Sequence, residues 1–377
     1  MEITSHDSLE AINAEEWDAL AGSNPFLKYG FLRLLETSDC LQSQGWYPQH
    51  IVVSSNGSIV GAMPLYVRDN SYGEFVFDWA WAEAYEKAGG RYYPKLVSAI
   101  PFSPVSGSRL LTNDHDPEKN NIEKLLVNTG IKLCADNNLS SWHCLFIDLE
   151  SHEIFTNNNM LARLGCQYHW FNRDYRDFQD FLNALSSKKR KNIKRERRLV
   201  EKLDLNIETL VGAEISETHW KTFYTFYCAT FTKKWGAPRL TLEFFLNLEN
   251  YLPGAAVLIL ARDDQNYVAG AFSLQSDDVL YGRHWGCARN YNNLHFELCY
   301  YQTIEYCINN NFRKLDAGAQ GEHKIGRGFE PVETWSMHWL KDENFRTPVA
   351  NFLNHETKAI KDYISQLAEH SAFRNQK

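Results

Sequence analysis

Helical and strand-like hydrophobic patterns alternate along the first half of the chain. Apolar residues at helical spacing predict helices over 9–21, 31–35 and 122–137. Apolar runs predict strands over 50–54, 59–67 and 141–148. The first two strands flank Asn56-Gly57, which is a strong short-range signal for a hairpin. The first half therefore predicts a mixed α/β domain.

The second half of the chain repeats this order of elements. Its pattern predicts helices over 216–232 and 294–309 and strands over 255–261, 267–275, 279–286 and 313–317. Gly61-Ala62 and Leu65 of the first hairpin match Gly270-Ala271 and Leu274 at one constant offset (270−61 = 274−65 = 209). An internal duplication explains both the matching residues and the matching element order.

The repeated order resembles the core of the GNAT acyltransferase fold. We therefore predict an α/β fold with mixed sheets, built from tandem GNAT-like domains over residues 1–174 and 175–377. In that fold two adjacent parallel strands splay apart, and an acyl thioester enters the gap. The resemblance thus implies that unpaired backbone N–H groups in such a gap bind the donor.

Composition and charge narrow the class of protein. Hydrophobic residues make up 44% and charged residues 23% of the chain, which excludes a mainly disordered protein. The formal net charge is −8, but residues 188–198 hold eight basic residues and one acid, or +7, which leaves −15 elsewhere. We predict that this basic entry helix contacts the phosphates of a donor such as tRNA or CoA. The predicted contacts are Lys188, Lys189, Arg190, Lys191, Lys194 and Arg195. The alternative interpretation is a solvated helical face.

Targeting and metal-binding signals give mostly negative expectations. The N-terminal residues are acidic where a signal peptide is basic, and no run approaches the ~20 apolar residues needed to span a membrane. We therefore expect a soluble, cytoplasmic protein. The eight cysteines form no CxxC pair, so we expect free thiols, no metal site and no tightly bound cofactor.

Residues 316–331 carry the densest polar signal in the chain. Four glycines, Gly318, Gly321, Gly326 and Gly328, allow close backbone approach to a ligand. Between them lie His323, Lys324 and Arg327, which suit a phosphate, a carboxylate or a developing oxyanion. The alternative is a solvated glycine-rich surface loop.

The same stretch resembles the C-terminal region of Fem-type peptidyltransferases. The similar residues are the helix at 296–305, Asp316-x-Gly318, His323-Lys324 and Gly328-Phe329. The resemblance implies two GNAT-like domains that transfer an aminoacyl group from aminoacyl-tRNA to a peptidoglycan precursor. Longer blocks resemble a Fem-like family of predicted N-acyltransferases found mainly in bacteria; they lie at 77–82, 89–95, 101–105, 284–286 and 317–324. The glycine-rich pyrophosphate loop of acetyl-CoA-dependent GNATs is missing, because residues 287–296 contain no glycine.

We predict transfer of an acyl or aminoacyl group to the amine of a small-molecule or peptide acceptor, with acyl-CoA or aminoacyl-tRNA as co-substrate. Lys324 would stabilise the oxyanion, His323 or His284 would accept the amine proton, and Asp316 would orient the acceptor or the loop. The predicted substrate-binding residues are Gly318, Gln320, Gly321, Glu322, Arg327, Gly328, Arg91, Tyr92, Tyr93, Lys95 and Glu297.

Several of these positions have a structural alternative. A strand histidine such as His284 is often a satisfied core residue, and Glu297 could cap a helix. Residues 89–95 could form a packed loop with exposed charges rather than an acceptor pocket. The alternative for the whole protein is a non-catalytic binding module for a peptidoglycan-like or nucleotide-linked ligand. Nonspecific nucleic-acid binding is a third possibility, which the strongly negative charge outside residues 188–198 disfavours.

Overall fold

The computed structural model describes residues 1–232 and 236–374. Its strands are β1 (Glu2–His6), β2 (Trp46–Pro48), β3 (His50–Ser55), β4 (Ser58–Met63), β5 (Tyr66–Arg68), β6 (Lys95–Ser98), β7 (Leu111–Thr112), β8 (Ser141–Ile147), β9 (Leu161–Phe171), β10 (Asn206–Val211), β11 (Ala256–Arg262), β12 (Tyr267–Gln275), β13 (Val279–Cys287), β14 (Lys314–Asp316) and β15 (Glu330–Leu340). Its α-helices are α1 (Ala14–Ala21), α2 (Tyr29–Thr37), α3 (Trp79–Lys87), α4 (Lys119–Asp136), α5 (His152–Asn157), α6 (Phe178–Ala184), α7 (Ser187–Glu201), α8 (Glu217–Thr232), α9 (Leu242–Tyr251), α10 (Leu294–Phe296), α11 (Gln302–Asn309) and α12 (Glu343–Glu369).

The chain divides into two compact units. The first contains residues 1–165 and 333–362, and the second contains residues 166–332 and the chain from 363 onward. These units differ from the predicted division at residue 174, because residues 333–362 return to the first unit. The return has a physical reason: Leu340, Val349 and Leu353 pack with Trp81 and Tyr92 in one hydrophobic cluster. Such long-range packing has no local signal in the sequence.

The first unit contains the predicted hairpin. Strands β3 and β4 pair antiparallel from Ile51 opposite Met63 onward, which confirms that prediction. They belong to a sheet of order β1-β3-β4-β7, and helix α4 packs closely on it. A Cβ at Gly61 of β4 would lie 2.4 Å from Ile122, so this position must remain a glycine for α4 to approach. In the same unit strands β15, β8, β6, β5 and β2 are neighbours in that order, and β6 and β8 are parallel.

The second unit contains strands in the order β10-β11-β12-β13-β14-β9. Neighbours are antiparallel except β13 and β14, which run parallel and pair only from Val279–Lys314 to Tyr281–Asp316. Beyond Tyr281, β13 continues along β12 as far as Cys287, so β13 and β14 separate. The α/β fold with mixed sheets is therefore confirmed, and the parallel pair separates as the GNAT resemblance implies.

The helices were compared with the length and apolar character that a membrane span requires. Within residues 1–232 and 236–374, no helix combines the length and the apolar character needed to cross a bilayer.

Candidate active site

A cavity of about 490 Å³ lies in the second unit where β13 and β14 separate. Residues 282–285 of β13 form one wall, and the loop that follows β14, as far as Lys324, forms another. Tyr300 and Thr303, from the helix that connects the two strands, and residues 271–273 of β12 also line the cavity. The cavity therefore occupies the gap in which the GNAT resemblance implies an acyl donor.

Lys324 is the most unusual charged residue in this cavity. Its side chain is almost fully buried, at 3% exposure. The ammonium donates hydrogen bonds to the carbonyl oxygens of Ala317, at 2.5 Å, and Gly318, at 3.3 Å. No carboxylate forms an ion pair with it in the described part of the chain, and burial lowers the pKa of Lys324 to about 8. A partly desolvated cation without a counterion is suited to a developing negative charge.

Asp316 shapes the start of the loop. It ends β14, is buried, and accepts a hydrogen bond from the Gly318 N–H at 2.9 Å. Its Oδ2 lies 3.4 Å from the guanidinium of Arg283. Although burial alone would raise the pKa of Asp316, the charge of Arg283, helped by His169, lowers it to about 2. Of the two predicted roles, orienting the loop fits this ionised, internally satisfied carboxylate better.

His284 lies on β13 and lines the cavity. Its ring stacks parallel to Phe272 and contacts Tyr227 edge-on. Burial, and then the charge of Arg283, lower the pKa of His284 to about 3. The imidazole is therefore neutral at physiological pH but is a weak base.

His323 is exposed and sits at the edge of the same cavity. Its Nε2 lies 2.9 Å from the hydroxyl of Tyr300. Burial lowers the pKa of His323, and Arg327 and Lys324 add to the effect. This histidine combines access to solvent with proximity to Lys324, which follows it directly in the chain.

The helix after β13 contains a π-helical turn over Glu297–Tyr301, between α10 and α11. The sequence predicts one regular helix here. The wider turn sends Tyr300 to His323, while Tyr301 donates a hydrogen bond to Glu196. Glu297 is buried and forms an ion pair with Arg197 at 2.9 Å, so its predicted role in substrate binding stays a prediction.

The glycines of the loop permit its shape. Gly318, Gly321 and Gly328 have φ of 72°, 104° and 90°, in the left-handed region that other residues avoid. A Cβ at Gly321 would also lie 2.4 Å from the His323 ring.

The remaining predicted side chains of the loop differ in their contacts. Arg327 donates three hydrogen bonds to Glu196, at 2.9, 3.0 and 3.2 Å, and lies over Phe296. Glu322 accepts a hydrogen bond from Tyr363 at 2.8 Å. Gln320 is exposed at the cavity lining. Arg327 and Glu322 therefore fix the loop to its neighbours, while Gln320 faces the space where a substrate would lie.

The predicted acceptor residues belong to the first unit. Arg91 is exposed and Tyr93 is half-buried, whereas Tyr92 and Lys95 are buried at 1% and 0% exposure. The Lys95 ammonium lies 2.8 Å from Glu74 and 2.5 Å from Asp78. Tyr92 donates to the same Asp78 at 2.7 Å. The structure places Tyr92 and Lys95 in an internal polar network, and their role in substrate binding stays a prediction.

The predicted basic helix is α7. Its exposed cations are Lys188, Lys191, Lys194, Arg195 and Arg198, which recur at helical spacing. Lys189 and Arg190 are half-buried. Arg197 forms ion pairs with Glu297 and Glu305, so it stabilises the packing of α7 rather than the exposed face.

Among the residues that line the cavity, the sequence interpretation did not identify Arg283, Tyr300 and His295 as site residues. Arg283 contacts Asp316, and Tyr300 contacts His323. His295 contributes another neutral imidazole, because burial lowers its pKa to about 4. Their neighbours in the chain are apolar or aromatic, which suggests core positions. The described residues contain no group of three or more His, Cys, Asp or Glu that could hold a metal ion.

Comparisons with known proteins agree with this architecture. A family model named FemAB-like and described as peptidoglycan biosynthesis/recognition matches residues 8–375. A search of curated protein sequences finds no match.

Solved structures similar to this chain have low sequence identity to it. FemX aligns with a TM-score of 0.57 and 13% identity, over 93% of this chain and 100% of FemX. A conserved protein of unknown function from Bacteroides thetaiotaomicron aligns with a TM-score of 0.54 and 11% identity, over 90% of this chain and 100% of that chain. L-PGS from Bacillus licheniformis aligns with a TM-score of 0.51 and 8% identity, over 85% of this chain and 93% of that chain. At such identities the likeness establishes the fold alone.

Proposed function

The chain belongs to this FemAB-like family, and we propose that it is an N-acyltransferase that moves an acyl or aminoacyl group onto an amine. The observation that carries the proposal is Lys324, a buried ammonium without a counterion among the described residues, at a cavity between separated parallel strands. The co-substrate is an acyl-CoA or an aminoacyl-tRNA, and the acceptor is a small molecule or a peptide. The FemAB-like match to residues 8–375 supports a peptidoglycan precursor as the acceptor class.

The reaction follows the chemistry of acyl transfer. The acceptor nitrogen bonds to the donor carbonyl carbon, and the C=O electron pair moves onto the oxygen. The Lys324 ammonium stabilises this oxyanion, because its charge is only partly compensated by two carbonyl oxygens. The bond from carbon to the thiol sulfur of CoA or the ribose oxygen of tRNA then breaks, and its electron pair stays with that atom.

One proton must leave the amine and one must reach the leaving group. His323 is the better candidate for this transfer, because it is exposed at the cavity edge and hydrogen-bonded to Tyr300. His284 would lower the barrier less as a base, since its pKa is about 3. Asp316 accepts a hydrogen bond from the Gly318 N–H and forms an ion pair with Arg283. These contacts keep the loop that carries Lys324 in place.

The test uses purified protein with a panel of aminoacyl-tRNAs and acyl-CoAs, and compares wild type with Lys324→Ala. Turnover of one donor that is lost in the variant supports the transferase and names the donor. Lys358→Ala is the matched control, because Lys358 is an exposed lysine of α12. If neither protein binds or turns over any donor, the transferase proposal is wrong. Tight ligand binding without turnover would instead support the non-catalytic binding module.

A further inference from the structure

A second cavity, of about 320 Å³, lies in the second unit beside α7. We call it the α7 cleft and define it by Lys189, Asn192, His323, Gly326 and Arg327, which line it. His323 also lines the larger cavity that contains Lys324. A ligand in the α7 cleft would therefore be adjacent to the proposed reaction centre.

The acidic residues that line the cleft already have protein partners. Glu196 accepts three hydrogen bonds from Arg327 and one from Tyr301. Glu322 accepts a hydrogen bond from the hydroxyl of Tyr363. Their charges are therefore directed to these partners, which reduces the repulsion that an anion in the cleft would meet.

The remaining polar groups are available for a ligand. In the structure of residues 1–232 and 236–374, Lys189 forms no ion pair, and the Asn192 amide forms no side-chain hydrogen bond. Both side chains are half-buried rather than extended into solvent. A half-buried ammonium beside an amide is a typical arrangement for binding a phosphate oxygen.

Gly326 brings the loop against Lys189. A Cβ at this position would lie 3.3 Å from the Lys189 Nζ, closer than most real contacts of this kind. Gly326 is not among the residues with a positive φ, so its backbone does not require glycine. The missing side chain thus leaves space for the ammonium rather than permitting an unusual turn.

We propose that the α7 cleft binds a phosphate group of the donor close to the acyl carbon, with Lys189 and Asn192 as its contacts. The inference rests on the proposed acyl transfer and assigns Lys189 a role separate from that of the exposed cations of α7. Lys188, Lys191, Lys194 and Arg195 lie on the exposed face, where they can contact only phosphates further along a longer polyanion. A phosphate of the terminal nucleotide of an aminoacyl-tRNA or a phosphate of CoA would supply the same chemistry.

The experiment measures binding of a stable donor analogue with and without its phosphate. The probe is adenosine with alanine joined by an amide at the 3′ position of the ribose. It is compared with the same compound carrying one phosphate at the 5′ position. We expect the phosphate to tighten binding to wild type by roughly tenfold, the usual size of one charged hydrogen bond. In Lys189→Met the two compounds should bind equally, whereas Lys202→Met, an exposed control at the C-terminal end of the same helix, should keep the difference. An unchanged difference in Lys189→Met overturns the proposal.

Further variants identify the source of the phosphate and separate the two proposals. Gly326→Ala should reduce the phosphate effect several-fold, because its methyl group displaces the end of a flexible side chain. If Lys189→Met weakens binding of CoA but leaves pantetheine unchanged, CoA supplies the phosphate. If the phosphate effect depends on Lys189 while no donor is turned over, the cleft proposal holds and the transferase proposal fails. If turnover depends on Lys324 but the phosphate effect does not depend on Lys189, the transferase proposal holds and the cleft proposal fails.

Discussion

Among the described residues, each compact unit contains one nearly inaccessible lysine, and the surroundings of the two lysines differ. Lys95 of the first unit contacts two carboxylates, Glu74 and Asp78, and a serine hydroxyl. Among the described residues, Lys324 of the second unit donates to two backbone carbonyl oxygens and lies over the ring of Tyr168, but it forms no ion pair. Burial alone would lower the pKa of Lys95, but the two carboxylates outweigh it and raise that pKa. For Lys324 burial outweighs the attraction of Asp316, which forms no ion pair with it, and lowers the pKa to about 8.

The regions around β8 and β14, the strands that follow α4 and α11, show a related difference. In the second unit the strands β13 and β14 separate around a cavity. In the first unit, Arg109 precedes β7, is fully buried, and donates to the carbonyl oxygens of Val105 and of Leu145 on β8. The Arg109 side chain thus links the segment before β7 to β8, the strand that follows α4. The charge of Lys95 is compensated by carboxylates inside the protein, whereas the charge of Lys324 lies beside a cavity and is available for chemistry.

The largest expected effect is on stability. Lys95→Met leaves Asp78 buried without its lysine and leaves Glu74 paired with Arg68 alone, so the free energy of unfolding should fall by about 3–5 kcal/mol. Lys324→Met removes a buried charge that forms no ion pair among the described residues. The free energy of unfolding of this variant should therefore be unchanged or higher. Urea unfolding of both variants beside wild type measures the two changes. Equal losses of unfolding free energy in the two variants would contradict the proposed difference between the two lysines.

For activity the order of the two variants should reverse. Lys324→Met should lower kcat/KM by about 10²–10³-fold, as loss of an oxyanion donor does, with little change in donor binding. Lys95→Met should retain most activity at a temperature where it remains folded. Steady-state kinetics with the donor found by the panel of aminoacyl-tRNAs and acyl-CoAs, at matched folded fraction by circular dichroism, measure both. A Lys324→Met enzyme with an intact kcat would remove the proposed role of this ammonium.

The pH dependence of stability should have opposite sign at the two lysines. Folding lowers the pKa of Lys324 from the ordinary lysine value of 10.5 to about 8. Between these values the unfolded chain binds more protons, so stability due to Lys324 rises with pH, by about 3 kcal/mol in total. The difference in unfolding free energy between wild type and Lys324→Met isolates this effect from other groups.

Folding raises the pKa of Lys95 above the ordinary lysine value of 10.5. The contribution of Lys95 to stability is therefore complete below pH 10.5 and is lost as the pH rises through the pKa of the folded state. The difference between wild type and Lys95→Met should therefore shrink at strongly alkaline pH. A Lys324 difference that falls between pH 8 and 10.5 would contradict the assignment of burial as the cause of its lowered pKa.

Much of the fold was predictable because it depends on local pattern. The hairpin at Asn56-Gly57 and the strands of the second unit follow from alternation and turn chemistry. The return of residues 333–362 to the first unit was not predictable, because it depends on contacts of Leu340 and Val349 with residues far away in the chain. The π-helical turn at Glu297–Tyr301 has no distinct sequence signal either.

The candidate site was partly predictable for the same reason. Alternating glycines and basic residues indicated the loop with Lys324, and three of those glycines do adopt left-handed backbone. Whether a lysine meets carboxylates or carbonyl oxygens depends on tertiary packing, so the sequence indicated both Lys95 and Lys324 as contacts of a substrate. Arg283 and Tyr300 acquire their contacts with Asp316 and His323 only after folding.

The smallest expected effect concerns Tyr300, whose hydroxyl lies 2.9 Å from His323 Nε2. Tyr300→Phe removes one neutral hydrogen bond, so kcat/KM should fall only about threefold to tenfold. If His323 accepts the amine proton, the acidic limb of the pH–rate profile should also move, because the imidazole loses a partner. His323→Ala should abolish that limb, while Tyr175→Phe, at a half-buried tyrosine packed against the same core, serves as a packing control. An acidic limb identical in wild type, Tyr300→Phe and His323→Ala would assign proton transfer to a different group, and the contrast between Lys95 and Lys324 would then rest on the oxyanion alone.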